Sequence, residues 1–140
     1  MLTEAEKKSQ RHYVADNAIW LYPRVIAVLP EVSEKTGYAF AVHGSQQRDL
    51  DIVAVAWVEN PLPVPDMVRV LCERIGRFTR PCEPVHDVEH KPHGRVAVTI
   101  TLNYGCWIDL SIIPPLKEVV PQYICKKDWH KDCLGPDETN

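Results

Sequence analysis

Two aspartates one residue apart, Asp49 and Asp51, open an apolar run from Ile52 to Trp57, just after a His43-Gly44-Ser45 turn. Alternate side chains of a strand share a face, so both carboxylates project the same way, with Cα atoms roughly 6.5 Å apart. Carboxylates so placed can converge on one hard divalent cation, or bridge a pair of cations about 3.5–4 Å apart. Like charges heading a strand that continues Ile-Val-Ala-Val-Ala-Trp are poor structural material. They need a cation, basic partners or water. The Gly44-Ser45 turn can bring backbone N–H groups and a hydroxyl up to an anion such as phosphate. The structural alternatives are acids solvated at a sheet rim and a hairpin turn without a ligand.

An apolar strand, then Gly44-Ser45, then Asp49-x-Asp51, is similar to the signature of the DNA polymerase β-type nucleotidyltransferase superfamily. Three segments in order, HGSQQRDLDIVAVAW, KPHGR and WIDLSIIPP, within residues 22–115, resemble small phage and prophage nucleotidyltransferase-like proteins. The resemblance implies a third carboxylate from a later strand, and Asp109 in WIDLSII is the candidate. It implies Mg²⁺ or Mn²⁺ held by Asp49, Asp51 and Asp109, a nucleoside triphosphate substrate contacted by Gly44 and Ser45, and an unidentified acceptor. Asp109 would serve as ligand or base while the acceptor hydroxyl attacks the α-phosphorus in line. In the superfamily a helical turn or more separates Gly-Ser from Asp-x-Asp; here only Gln46-Gln47-Arg48 stand between them. A catalytically silent relative that binds a nucleotide or a protein is the second reading.

A triphosphate beside three aspartates concentrates negative charge, and basic side chains must help to offset it. Arg48 adjoins Asp49, but strand alternation directs it to the opposite face unless the turn rotates it. Lys91, His93 and Arg95 lie in Lys-Pro-His-Gly-Arg, which leads into a strand expected to pair with that of Asp109. The expectation is that Lys91 or Arg95, rather than Arg48, reaches the triphosphate, with Gly94 allowing a close approach.

The elements that must position these groups follow from periodicity and punctuation. Thr3-x-x-Glu6 can cap a helix running to about Asn17. A second helix, with Tyr22, Val25, Ile26, Leu29 and Val32 at helical spacing, begins near Pro23 and is kinked or restarted by Pro30. Gly37 ends it, and Tyr38 to Val42 is a strand. A proline-broken loop follows Trp57, and Pro65-Asp66 open a helix with Val68, Leu71 and Ile75 on one face. Residues 79–95 read as a long loop with one short strand near Val85–Val88. Val96–Leu102 and Trp107–Ile113 alternate as half-buried strands joined by Asn103-Tyr104-Gly105, a hairpin stopped by Pro114-Pro115. The expected fold class is α/β (α+β): a small mixed sheet of about four strands with two or three helices largely on one face.

The chain has 140 residues, 45% hydrophobic and 25% charged, which suits a single nucleotidyltransferase-like domain over 1–140. Residues 1–21 form its N-terminal helical segment and 116–140 a weakly patterned tail. A net charge of −3 gives no ground for general nucleic-acid affinity. No apolar run approaches membrane-spanning length and no signal segment opens the chain, so a cytoplasmic protein with its 5 cysteines reduced is expected. Cys82, His86, His90 and His93, with Cys125, His130 and Cys133, are zinc-ligand types at irregular spacing. A zinc-stabilised interaction module is therefore a third reading, and zinc is not expected.

Overall fold

The computed structural model describes residues 1–77 and 89–115. Helix α1 runs from Glu4 to Thr36 without a break. The capping box forms as its residue types dictate: the Glu6 amide donates to Thr3 Oγ1 and the Thr3 amide to the Glu6 carboxylate. Those hydrogen bonds hold the Glu6 carboxyl below its ordinary range. The expected stop near Asn17 and break at Pro30 do not occur. Both Pro23 and Pro30 lie on the exposed side of α1. The residue four before Pro23, whose carbonyl loses its helical partner, is the exposed Ile19. The buried side carries Ala18, Leu21, Tyr22, Val25, Leu29, Val32 and Thr36, three or four residues apart apart from one adjacent pair.

Gly37 ends α1 in the left-handed region at φ 82°, and its amide bonds to the Ser33 carbonyl. Strand β1 (Tyr38–His43) follows at once and turns back into β2 (Leu50–Ala56). Helix α2 (Val64–Ile75) has proline in its first turn and buries Met67, Val68, Leu71, Cys72 and Ile75. A two-residue strand, β3 (Glu89–His90), a short 3-10 turn at Pro92–Gly94, and the hairpin strands β4 (Val96–Thr101) and β5 (Trp107–Ile113) complete the described chain. The expected strand near Val85–Val88 lies outside the described residues; β3 begins just after it.

The result is an α+β fold. The sheet has five strands in the order β1-β2-β5-β4-β3. β1–β2, β5–β4 and β4–β3 are antiparallel, whereas β2 and β5 are parallel. Leu50, Ile52 and Ala54 of β2, Ile108, Leu110 and Ile112 of β5, and Val96, Val98 and Ile100 of β4 join the buried residues of α1 and α2 in one core. Alternation sends Asp51, Val53 and Val55, and Asp109, Ser111 and Ile113, to the opposite face. An ion pair between Arg74 of α2 and Glu31 of α1 joins the helices. No helix among the described residues is long and apolar enough to cross a membrane.

Candidate metal centre

The parallel pairing of β2 with β5 builds the site. Its register sets Leu50 opposite Ile108 and Asp51 opposite Asp109. Both aspartates therefore sit one step inside the start of the β2–β5 ladder, on the face away from the core. Asp49, just before β2, joins them. One carboxylate oxygen from each of Asp49, Asp51 and Asp109 lies within 4.8 Å of the others. The three form an acidic triad that can hold a metal ion, as the spacing of Asp49 and Asp51 and the resemblance of Asp109 led us to expect. Asp49 and Asp51 are half-buried and Asp109 is exposed.

The donor set fits a hard cation: three carboxylates, each offering an oxygen, on two hydrogen-bonded strands. Electrostatics agree. Desolvation, then the Asp49 charge, and more weakly Asp109, push the Asp51 carboxyl above its ordinary range, opposed by His43 and Arg48. The Asp51 carboxyl is thus harder to ionise than a free one, and a cation beside it would relieve that cost.

Gly44 has a role that the sequence did not disclose. Its φ is 77°, and a Cβ built on it would overlap Asp51 Oδ2. The missing side chain is the space that the Asp51 carboxylate fills. The Ser45 hydroxyl lies 3.4 Å from the Gln47 amide, inside a bent segment. No helix opens after Gly44-Ser45, so the array of N–H groups at a helix N-terminus does not face this site.

The basic neighbours differ from expectation. Arg48 is on the site side: its Nε is 3.9 Å from Asp49 Oδ1, and its guanidinium lies 5.5 Å from the Trp107 ring centroid. Residues 44–49 are a turn, so strand alternation does not govern Arg48. His43 is directly paired with Asp51 across β1–β2. Lys91 is paired with Glu89 at the β3 edge, with β4 between it and β5. His93 and Gly94 are exposed on the same edge, and no atom lies within 4 Å of a Cβ built on Gly94. Arg95 donates to Ser111 Oγ at 3.3 Å, one step along the Asp109 face of β5, but does not reach the triad. The reason is register. Val96 pairs with Ile112 and Thr99 with Asp109, so the segment feeding β4 lies at the far end of β5.

Beneath the site, the Tyr22 hydroxyl of α1 donates to the Arg48 carbonyl at 2.6 Å and approaches the Trp107 carbonyl at 3.4 Å. Burial raises its pKa, so it stays a neutral donor. In the sequence Tyr22 reads as one more apolar helix residue; nothing local marks its hydroxyl. His43 could have been found by counting back across the β1–β2 hairpin from Asp51.

Of the zinc-ligand types, His90 and His93 are exposed at the β3 edge, while Cys82, His86, Cys125, His130 and Cys133 lie outside the described residues. Cys72 and Cys106 are buried. Comparison with models of known protein families and with curated proteins finds no match for this chain.

Proposed function

We propose that this chain is a metal-dependent nucleotidyltransferase-like protein, with Asp49, Asp51 and Asp109 holding Mg²⁺ or Mn²⁺ and a nucleoside triphosphate as substrate. The observation that carries the reading is the meeting of the three carboxylate oxygens within 4.8 Å at the heads of two parallel strands. A divalent cation there would supply charge to hold the phosphates and to stabilise charge developing on them. Arg48, stacked on Trp107 and exposed, is the basic group positioned for a phosphate oxygen. Ser45 offers a hydroxyl at the same edge. Asp109, the most exposed of the three acids, would take the proton of an acceptor hydroxyl. The acceptor oxygen would bond to the α-phosphorus as pyrophosphate leaves. The cytoplasm is the compartment we propose for this chemistry.

A second reading, a silent relative that binds the nucleotide without turnover, is favoured by the short Gly44–Asp49 turn, which lacks a helix to grip phosphate. Calorimetry of ATP and GTP with Mn²⁺, and again with excess chelator, tests the shared claim. Binding that needs the cation is expected; equal affinity in chelator would overturn both readings. Release of pyrophosphate in a screen of RNA, protein and small-alcohol acceptors separates the enzyme from the silent binder.

A further inference from the structure

We propose that Tyr22 is a positioning residue of the metal centre, its hydroxyl tying together the two backbone segments that launch Asp49 and Asp109. The proposal rests on the reading of the acidic triad as a metal site. Tyr22 is 1% exposed, and it is flanked on the buried side of α1 by Ala18, Leu21 and Val25, which offer no polar atom. Its hydroxyl has one proton, donated to the Arg48 carbonyl at 2.6 Å; the Trp107 carbonyl, at 3.4 Å, shares that proton at the limit of reach. Arg48 is one residue before Asp49, and Trp107 is two before Asp109. The β2–β5 ladder begins at Leu50 opposite Ile108. The Tyr22 hydroxyl therefore acts as an extra rung just ahead of the first one, beside the start of the segment that carries Asp49.

The β2–β5 ladder fixes the backbone spacing of Asp51 and Asp109, but Asp49 lies outside it. Asp109 is exposed, and the segment carrying Asp49 is a turn. Without the phenol, the Arg48 carbonyl loses a partner and the head of β2 is freed from α1. The acids would then sample wider separations, and a cation would have to draw them back together. Partners that orient metal ligands without touching the metal typically change affinity by about 10- to 100-fold.

A matched control lies in the same core. Tyr38 is also 1% exposed, and its hydroxyl donates to the Leu62 carbonyl at 2.9 Å, at the opposite end of β1 from His43. Tyr22→Phe deletes the hydroxyl that reaches the Arg48 and Trp107 carbonyls and lies beside the Cys106 thiol, Tyr38→Phe deletes one phenol-to-carbonyl hydrogen bond, and both keep the ring. Mn²⁺ titration by calorimetry on the full chain compares them with the parent. The expected result is a dissociation constant raised about 10-fold or more in Tyr22→Phe, unchanged in Tyr38→Phe, with both variants folded by circular dichroism. Parent-like affinity in Tyr22→Phe, or equal weakening in both, would overturn the proposal. A Tyr22→Phe chain that did not fold would give the hydroxyl a purely structural role and overturn it too. Absence of Mn²⁺ binding in the parent would instead remove the metal reading itself, so the two failures are distinguishable.

Discussion

Asp51 carries the electrostatic tension of the site. Its carboxyl is raised above the ordinary range by desolvation and by Asp49, so ionising it costs the folded state more than the unfolded chain. The sign follows. The stability associated with its protonated form is present below the unfolded pKa, about 3.9, and is lost as pH rises through the higher folded value. At neutral pH the metal-free protein bears that penalty. Asp51→Asn should therefore melt higher than the parent at pH 7 without metal, with the difference closing as pH falls through the raised folded value toward about 4. Adding Mn²⁺ should raise the parent's melting temperature and leave the variant's unchanged. A variant that melts lower at pH 7, or still responds to Mn²⁺, would remove Asp51 from the ligand set. The basic side chains give a second residue-scale test. Arg48→Ala should weaken ATP–Mn²⁺ binding by about 1–3 kcal/mol, the range for hydrogen bonds to charged groups. Lys91→Ala, paired with Glu89 at the far edge, should leave it unchanged. The three acids were legible through the Asp-x-Asp spacing and the resemblance, although Asp49 lies in the turn and not in the strand. Arg48 was misplaced because alternation was applied to a residue that sits in a turn.

At the scale of elements, the turn between β1 and β2 and the 3-10 turn before β4 make a contrast between two glycines. Gly44 and Gly94 both have positive φ, at 77° and 74°. Alanine at either should cost about 1–2 kcal/mol of left-handed strain. At Gly44 the new Cβ also meets the Asp51 carboxylate, whereas at Gly94 it meets open space. Thermal melts of Gly44→Ala and Gly94→Ala should both fall, but Mn²⁺ affinity should fall only in Gly44→Ala. Equal affinities would mean that the Gly44 turn does not set the carboxylate. The strands β1 and β5 were legible almost to the residue, because short runs of alternating or continuous apolar residues end at Gly44 and at Pro114-Pro115. The continuity of α1 was not legible: whether a proline breaks a helix depends on which side faces water, and that is a tertiary fact. The place of Lys91 and Arg95 was misread for a simpler reason. In an antiparallel hairpin the entering segment lies beside the end of the second strand, here Ile112 and not Asp109.

The described residues form a sheet with α1 and α2 on one face and Asp49, Asp51 and Asp109 at one end of the other. The pairing that creates the site, β2 beside β5, joins residues more than fifty positions apart, and no local pattern specifies it; this is why the meeting of Asp51 with Asp109 could be expected only through the resemblance. The same frame leaves part of α1 outside the core. At 33 residues the helix is about 50 Å long, while the seven-residue strand β5 spans about 23 Å. Its buried positions begin at Ala18, and residues 1–12 are all exposed. Tyr13 is the first side chain to meet the rest of the fold through a ring contact, edge-on to Tyr104 at 6.3 Å. Deleting residues 1–12 would remove the capping box and the Lys7–Glu4 ion pair, both solvent-facing and of little weight. It would leave Tyr22, fixed by its hydroxyl to the strand heads, ten residues inside the new terminus. The shortened chain should lose less than about 5 °C of melting temperature, a shift on the order of 1 kcal/mol or less for a domain of this size, and should bind Mn²⁺ as the parent does. A larger loss of stability would mean that the projecting turns of α1 are held by the protein after all. Weakened Mn²⁺ binding with the melting temperature kept would show that the far end of α1, and not only its Tyr22 level, sets the carboxylates.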